Sequence, residues 1–185
     1  ASHLPPERNG AKFFTKYGST DKKEVRAILD DAAAAVEARD GVFLSEDAAG
    51  DDPAALVSHF DFLPVYSAHL RALICSACAR PEHYDDPLTG FKIVVDAGNG
   101  AAGFFAGQVL EPLGAEVFGQ FLEPDGTFPN HVPNPEDGKA MQMTIDATLS
   151  NKADLGVIFD TDVDRSGVVD SAGTGINRNR LIALL

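Results

Sequence analysis

Leu155-Gly156-Val157-Ile158-Phe159-Asp160-Thr161-Asp162-Val163-Asp164-Arg165 joins an apolar run to three alternating carboxylates and an arginine. The run is short, continuous and apolar, so it reads as a strand buried on both faces. The carboxylates then stand at its carboxyl end, where open α/β sheets bind their ligands. Three anions this close repel one another unless a cation holds them together. Hard oxygen donors on a short loop suit Mg²⁺, which takes a few carboxylates and completes its shell with water or phosphate oxygen. Arg165 beside them is a forked donor suited to phosphate. A calcium EF-hand loop is excluded, because its sixth and twelfth positions require Gly and Glu, and here hold Arg165 and Ser171. The aspartyl-nucleophile phosphatase pattern fails too, since Asp164 stands where it needs Thr or Val.

Outward from this loop the second half of the chain alternates strands and helices. Strands are expected over 91–96, 115–121, 154–159 and 166–170, and helices over 101–113, 138–151 and from Asn177 onward. Residues 122–137 form a Pro-rich loop. Such alternation with apolar strands implies an α/β fold, layered α/β/α, on a mainly parallel or mixed sheet. The first half reads as a short strand over 11–15 and a helix over 21–39. Asp21 is that helix's N-cap, and Val25, Ile28, Leu29 and Val36 share one face. A loop over 40–61 and a helix over 62–79 follow. Pro81 to Gly90 reads as a linker. The expected domains are therefore 1–80 and 91–185.

The 185 residues carry a net charge of -13, with neither a basic stripe nor an aromatic ladder, which argues against a nucleic-acid surface. No apolar run reaches the ~18 residues of a membrane span. The chain opens Ala1-Ser2-His3-Leu4-Pro5 without an initiator Met and closes inside the helix-like run Arg180 to Leu185. It is therefore expected to be a piece of a longer, soluble, intracellular protein. Neither compartment (cytoplasm or plastid) nor oligomeric state is written in the residues.

Cys75 and Cys78 have the spacing of a redox or zinc half-site, but they lie inside the 62–79 helix with no second pair. They read as structural. Gly98-Asn99-Gly100-Ala101-Ala102-Gly103 matches the dinucleotide fingerprint in form, and Glu123 lies near the distance expected of a ribose carboxylate. However, Asp96 would point an anion at the pyrophosphate, and the glycines equally suit a tight turn with close packing.

The opening stretch has its own chemistry. Ser2 stands beside His3, and Lys12 returns after a Pro- and Gly-shaped loop. A serine accepts phosphate when its proton is removed and the growing charge is offset. Together with the acidic loop this resembles the α-D-phosphohexomutases, the phosphoglucomutase and phosphomannomutase family. Ala1 to Lys12 is similar to that family's phosphoserine loop, and Asp160 to Arg165 to its Asp-Gly-Asp-Gly-Asp-Arg metal loop. Val94 to Gly100, and the stretch from Pro124-Asp125-Gly126 to Pro135-Glu136, extend the likeness.

The resemblance implies a phosphohexomutase-like fold and an isomerase acting as an intramolecular phosphotransferase on a phosphorylated hexose. It implies Ser2 as the phosphorylated residue, Mg²⁺ held by Asp160, Asp162, Asp164 and a phosphoserine oxygen, and a hexose bisphosphate as intermediate and activator. His3, Lys12 and Arg165 would serve the transferred group. Thr161 and Val163 depart from the loop's two glycines, and Leu4 from the Asn usual after Ser-His. The family's sugar-reading and final phosphate-binding domains would lie outside these residues, so the piece alone is expected to be inactive. A non-catalytic relative and a dinucleotide-binding module remain the alternative readings.

Overall fold

A computed structural model of the chain describes residues 10–38, 58–176 and 178–184. The described residues fall into two units, 10–60 and 61–184. In the smaller unit the expected 11–15 strand is reduced to β1 (Phe14–Thr15), which pairs antiparallel with β2 (Gly18–Ser19). Helix α1 (Lys22–Glu37) then starts at Asp21 with a complete capping box. The Asp21 carboxylate accepts from the Lys23 and Glu24 amides, and the Glu24 carboxylate accepts from the Asp21 amide at 2.8 Å. The cap is as the sequence implies. The apolar stripe is not buried: Val25 and Leu29 are exposed, and α1 buries no residue.

The larger unit opens with α2 (Leu63–Cys78). The sequence assigned this helix to the preceding domain, on the far side of the 81–90 linker. Instead it packs within the same unit as the sheet. Cys75, Val109 and Leu113 form one apolar cluster with Leu70 and Ile74, and the Ser67 hydroxyl donates to Gln108 at 3.1 Å. Arg71 also donates to the Gln108 carbonyl.

The sheet has five strands in the order β4-β3-β5-β6-β7. They are β3 (Lys92–Asp96), β4 (Glu116–Gln120), β5 (Leu155–Phe159), β6 (Ser166–Asp170) and β7 (Gly175–Ile176), the last not foreseen. Strand β3 runs parallel to both β4 and β5, whereas β6 and β7 are antiparallel additions. The sheet is thus mixed. Its two parallel pairings need long crossovers, supplied by the helical segment 101–113 and by α3 (Gly138–Ser150). The chain closes with α4 (Arg178–Leu184).

The crossovers cover opposite faces. Ile93, Val95, Ala97 and Phe159 pack against Ala102, Ala106 and Leu110, with the Phe105 and Phe159 rings edge to face at 5.3 Å. On the other face α3 presents the small buried residues Ala140, Thr144 and Thr148, one per turn. The Thr148 hydroxyl donates to the Thr144 carbonyl at 2.8 Å, and the single Thr144 hydroxyl proton has two acceptors in reach, the Ala140 carbonyl and Asp96 Oδ2, so neither hydroxyl is left unpaired.

The 101–113 segment is not the regular helix the periodicity suggests. It runs as a 3-10 turn (Ala101–Gly103), a π-type stretch (Phe105–Leu110) and a second 3-10 turn (Glu111–Leu113). Pro112 lacks an amide to continue the ladder. No described helix is long and apolar enough to cross a membrane.

Gly156 shows how tightly α3 is seated. A Cβ there would lie 2.2 Å from the Thr148 hydroxyl oxygen. Gly156→Ala is expected to destabilise the fold by about 1–3 kcal/mol. Adding Thr148→Ala should recover part of that loss in a denaturation double-mutant cycle; strict additivity would show that the contact is not the cause.

Candidate metal centre

Strand β5 ends at Phe159, and the chain turns over 160–165 into antiparallel β6. Asp160 is fully buried at this strand end. Its amide donates to the Arg165 carbonyl at 3.1 Å, and its Oδ1 accepts the Arg165 amide at 3.1 Å. The Arg165 side chain folds back so that Nε and Nη2 both reach Asp160 Oδ2 at 2.9 Å. Nε also lies 3.5 Å from Asp164 Oδ1. The loop is therefore closed at its base by one carboxylate and one guanidinium, which places Arg165 as the clamp of the loop.

Carboxylate oxygens of Asp160, Asp162 and Asp164 lie within 4.8 Å of one another, the first buried and the other two exposed. Burial opposes the ionisation of Asp160. The Arg165 amide, a shared hydrogen bond with Asp164 and the guanidinium outweigh it and hold its pKa below the usual value. Asp164 is pushed up, first by that hydrogen bond with Asp160 and further by the negative charges of Asp160 and Asp162. Three carboxylates against one guanidinium leave an excess of negative charge confined to one loop.

The donor set is all carboxylate oxygen, with neither sulfur nor imidazole, which fits a hard divalent cation. Thr161 adds a buried hydroxyl oxygen without a hydrogen-bond partner among the described residues. The two positions where the loop departs from glycine behave differently. Thr161 keeps an ordinary backbone, whereas Val163 sits at φ 63°, a strained region for a β-branched residue. Its side chain packs against the apolar cluster beneath.

The turn after β3 lies against this loop, because β3 and β5 end side by side. The Ala101 amide donates to the Thr161 carbonyl at 2.9 Å. A Cβ on Gly100 would come within 2.8 Å of that same oxygen. This explains the glycine-rich turn without a nucleotide. Its other amides are also committed: Gly98 to Asp96 Oδ1, Asn99 to the Phe121 carbonyl and Gly100 to the Ala97 carbonyl. A Cβ on Gly103 would meet the Leu122 carbonyl oxygen at 1.9 Å. The four amides from Gly98 to Ala101 are thus all committed within the protein and none of them is left to cradle a pyrophosphate, which argues against the dinucleotide reading.

Beneath the turn is a buried pair that the sequence did not reveal. His131 Nε2 lies 2.9 Å from Asp96 Oδ1, and both side chains are fully buried. His131 Nδ1 meets the Val132 carbonyl at 2.9 Å, and the Thr144 hydroxyl donates to Asp96 Oδ2 at 3.1 Å. Both ring nitrogens face acceptors, the arrangement of an imidazolium. Burial works against that charge, but Asp96, the Val132 carbonyl and the Asp137 carboxylate leave the His131 pKa raised.

The family domain described as Phosphoglucomutase/phosphomannomutase, alpha/beta/alpha domain II, matches residues 65–173. The chain belongs to the phosphoglucomutase/phosphomannomutase family. It is 35% identical over 183 residues to a phosphomannomutase/phosphoglucomutase of Pseudomonas aeruginosa, covering 99% of this chain and 34% of that protein. It is likewise 35% identical over 183 residues to a phosphoglucomutase of Neisseria meningitidis, covering 99% of this chain and 35% of that one. A solved phosphoglucomutase/phosphomannomutase family protein from Burkholderia thailandensis superposes with a TM-score of 0.57 at 34% identity, covering 69% of this chain and 25% of that one. The chain thus spans about a third of the length of the curated relatives it matches. The domain match includes α2 from Val65 onward, in agreement with its packing in the sheet's unit.

Of the residues singled out from the sequence, Asp160, Asp162, Asp164 and Arg165 come together. Lys12 is exposed in the smaller unit. Ser2 and His3 lie outside the described residues. On α2, Cys75 is buried and Cys78 exposed, both as free thiols. His83, which follows the two cysteines in the chain, faces Asp86 at 3.2 Å.

Two predictions follow from these contacts. Asp160→Asn should lower stability by about 1.5–3 kcal/mol, since charged hydrogen bonds to Arg165 are lost. Asp162→Asn should leave stability nearly unchanged and weaken Mn²⁺ binding. Equal thermal midpoints for the two variants would contradict this division. Secondly, a raised histidine pKa stabilises the fold fully below its unfolded value of about 6.5, and that contribution is lost as pH rises through the folded value. Thermal stability should therefore fall more in the native chain than in His131→Gln as pH is raised above the unfolded value of about 6.5.

Proposed function

We propose that the protein carrying this chain is a phosphohexomutase, an isomerase that transfers phosphate between carbons 1 and 6 of a hexose. The convergence of Asp160, Asp162 and Asp164 at the end of β5, in a member of this family, carries the reading. On this view Asp160, Asp162 and Asp164 would hold Mg²⁺ together with an oxygen of phosphorylated Ser2. When bound there, Mg²⁺ would offset the charge on the transferred phosphoryl group.

The chain's own residues do the rest. The hexose hydroxyl oxygen attacks the phosphorus on Ser2 as its proton leaves, and the Ser2 oxygen–phosphorus bond breaks. His3 and Lys12 serve as the groups that move the proton and offset charge. The resulting hexose bisphosphate reorients, and the Ser2 hydroxyl takes back the other phosphoryl group by the same chemistry in reverse. Positioning and charge stabilisation dominate such a transfer. Arg165, already forked onto Asp160, keeps the carboxylates at the mouth of the loop while its own charge stands beside the phosphate.

The partner is a phosphorylated hexose. On this reading Ala1 to Lys12 supplies the phosphoserine loop of a first domain, and the segment matched at 65–173 belongs to the second. Since the chain spans about a third of its relatives, the isolated 185 residues are expected not to turn over substrate.

The test is intact-mass and peptide analysis of the full-length protein after incubation with Mg²⁺ and a hexose 1,6-bisphosphate. One phosphate should appear on Ser2, be absent in Ser2→Ala and be strongly reduced in Asp162→Asn. An unmodified Ser2 in folded protein would overturn the enzymatic reading in favour of a non-catalytic relative.

A further inference from the structure

The buried Asp96–His131 pair has no part in the proposed transfer, yet it is connected to the acidic loop by short contacts. Asp96 Oδ1 receives both His131 Nε2 and the Gly98 amide, each at 2.9 Å. Gly98 and Asn99 both adopt left-handed backbone, at φ 54° and 59°. A Cβ on Gly98 would lie 3.0 Å from His131 Cε1 and 2.9 Å from Pro133 Cβ. The imidazole therefore forms the floor of the turn as well as its anchor, and the Phe121 ring meets it edge-on at 5.4 Å.

Asn99 extends the anchoring. Its side chain donates to the Glu123 carbonyl and accepts from Asn130, each at 2.8 Å. Its carbonyl accepts the Asp125 amide at 2.9 Å. Two residues beyond, Ala101 donates its amide to the Thr161 carbonyl at 2.9 Å, between Asp160 and Asp162. A turn held on one side by a buried ion pair thus holds the carboxylate loop on the other. The Thr161 carbonyl can keep its place only while the Gly98–Ala101 backbone keeps its own.

We propose that His131 is a positioning residue for the acidic loop: by pairing with Asp96 it fixes the 98–101 turn, and through the Ala101–Thr161 hydrogen bond it sets where Asp160, Asp162 and Asp164 stand to receive a divalent cation. The inference rests on the reading of that loop as a cation site. His131 touches neither cation nor substrate. Its effect is on the spacing of the ligands, as expected of groups that orient metal ligands from behind.

The experiment is titration of Mn²⁺ into the 185-residue chain, with free Mn²⁺ read by electron paramagnetic resonance and folding checked by circular dichroism at the same temperature. Native chain, His131→Ala, His131→Gln, Asn130→Ala, Asp162→Asn and Val109→Ala are compared. Val109 is fully buried in the cluster beneath α2, away from the turn. Its truncation supplies a loss of stability without a change at the loop.

Folded His131→Ala should bind Mn²⁺ about tenfold more weakly, the low end of the range for groups behind metal ligands. His131→Gln should fall between it and the native chain. Val109→Ala should bind as the native chain does despite a lower thermal midpoint. If His131→Ala does not fold, Asn130→Ala carries the test, with a smaller loss expected at the same loop. Native affinity in both Asn130→Ala and a folded His131 variant, with binding abolished in Asp162→Asn, overturns the positioning role and leaves the cation site standing. Absence of Mn²⁺ binding by the native chain overturns both.

Discussion

Because β3 and β5 pair in parallel, from Ile93 opposite Leu155 to Asp96 opposite Ile158, their carboxyl ends finish side by side. Everything chemical in the larger unit depends on this pairing. It sets the 97–100 turn against the 160–165 loop and makes the contact between Ala101 and Thr161 possible. It also requires helical crossovers on both faces, which bury the strands enough for Asp96 and Asp160 to lose all exposure. A carboxylate in that position must be neutralised or hydrogen-bonded. Asp96 is satisfied by His131, Thr144 and the Gly98 amide, and Asp160 by Arg165.

The two buried aspartates thus divide the work of the sheet edge. One is balanced within the protein and gives the turn its rigidity. The other is only partly balanced, since Asp162 and Asp164 add negative charge that a single guanidinium does not match. That residual charge is what the proposed cation site rests on. The rest of the unit keeps the charged groups from relaxing apart.

The local parts of this arrangement were legible in the sequence. An apolar run ending in Asp-x-Asp-x-Asp-Arg specifies a strand and an acidic loop within one short window, and the Asp21-x-x-Glu24 cap is equally local. The non-local parts were not. Asp96 and His131 are separated by a helical crossover, a strand and most of a Pro-rich loop, so nothing in either neighbourhood names the other. One signal was available: a carboxylate ending the apolar strand Ile93-Val94-Val95 would be buried and would need a partner, and His131 is among the few candidates in the following loop. The break in the 101–113 helix was hidden because its apolar spacing resembles a regular helix. The placement of α2 was hidden because Pro81 to Gly90 looks like a linker, although the helix before it returns to the same core. The two-residue β7 is too short to carry a pattern.

Val163 gives the loop a further property. A β-branched residue at φ 63° opposes the very shape it occupies, by about 1–2 kcal/mol relative to ordinary backbone. Contacts with the cluster below and the Arg165 clamp hold it there. The loop is therefore a loaded latch: the closed form stores energy that any opened form releases, favouring opening by roughly 5- to 30-fold over an unstrained loop of the same contacts. If the loop holds a cation as proposed, the Val163 backbone would favour its release, alongside whatever the carboxylates contribute.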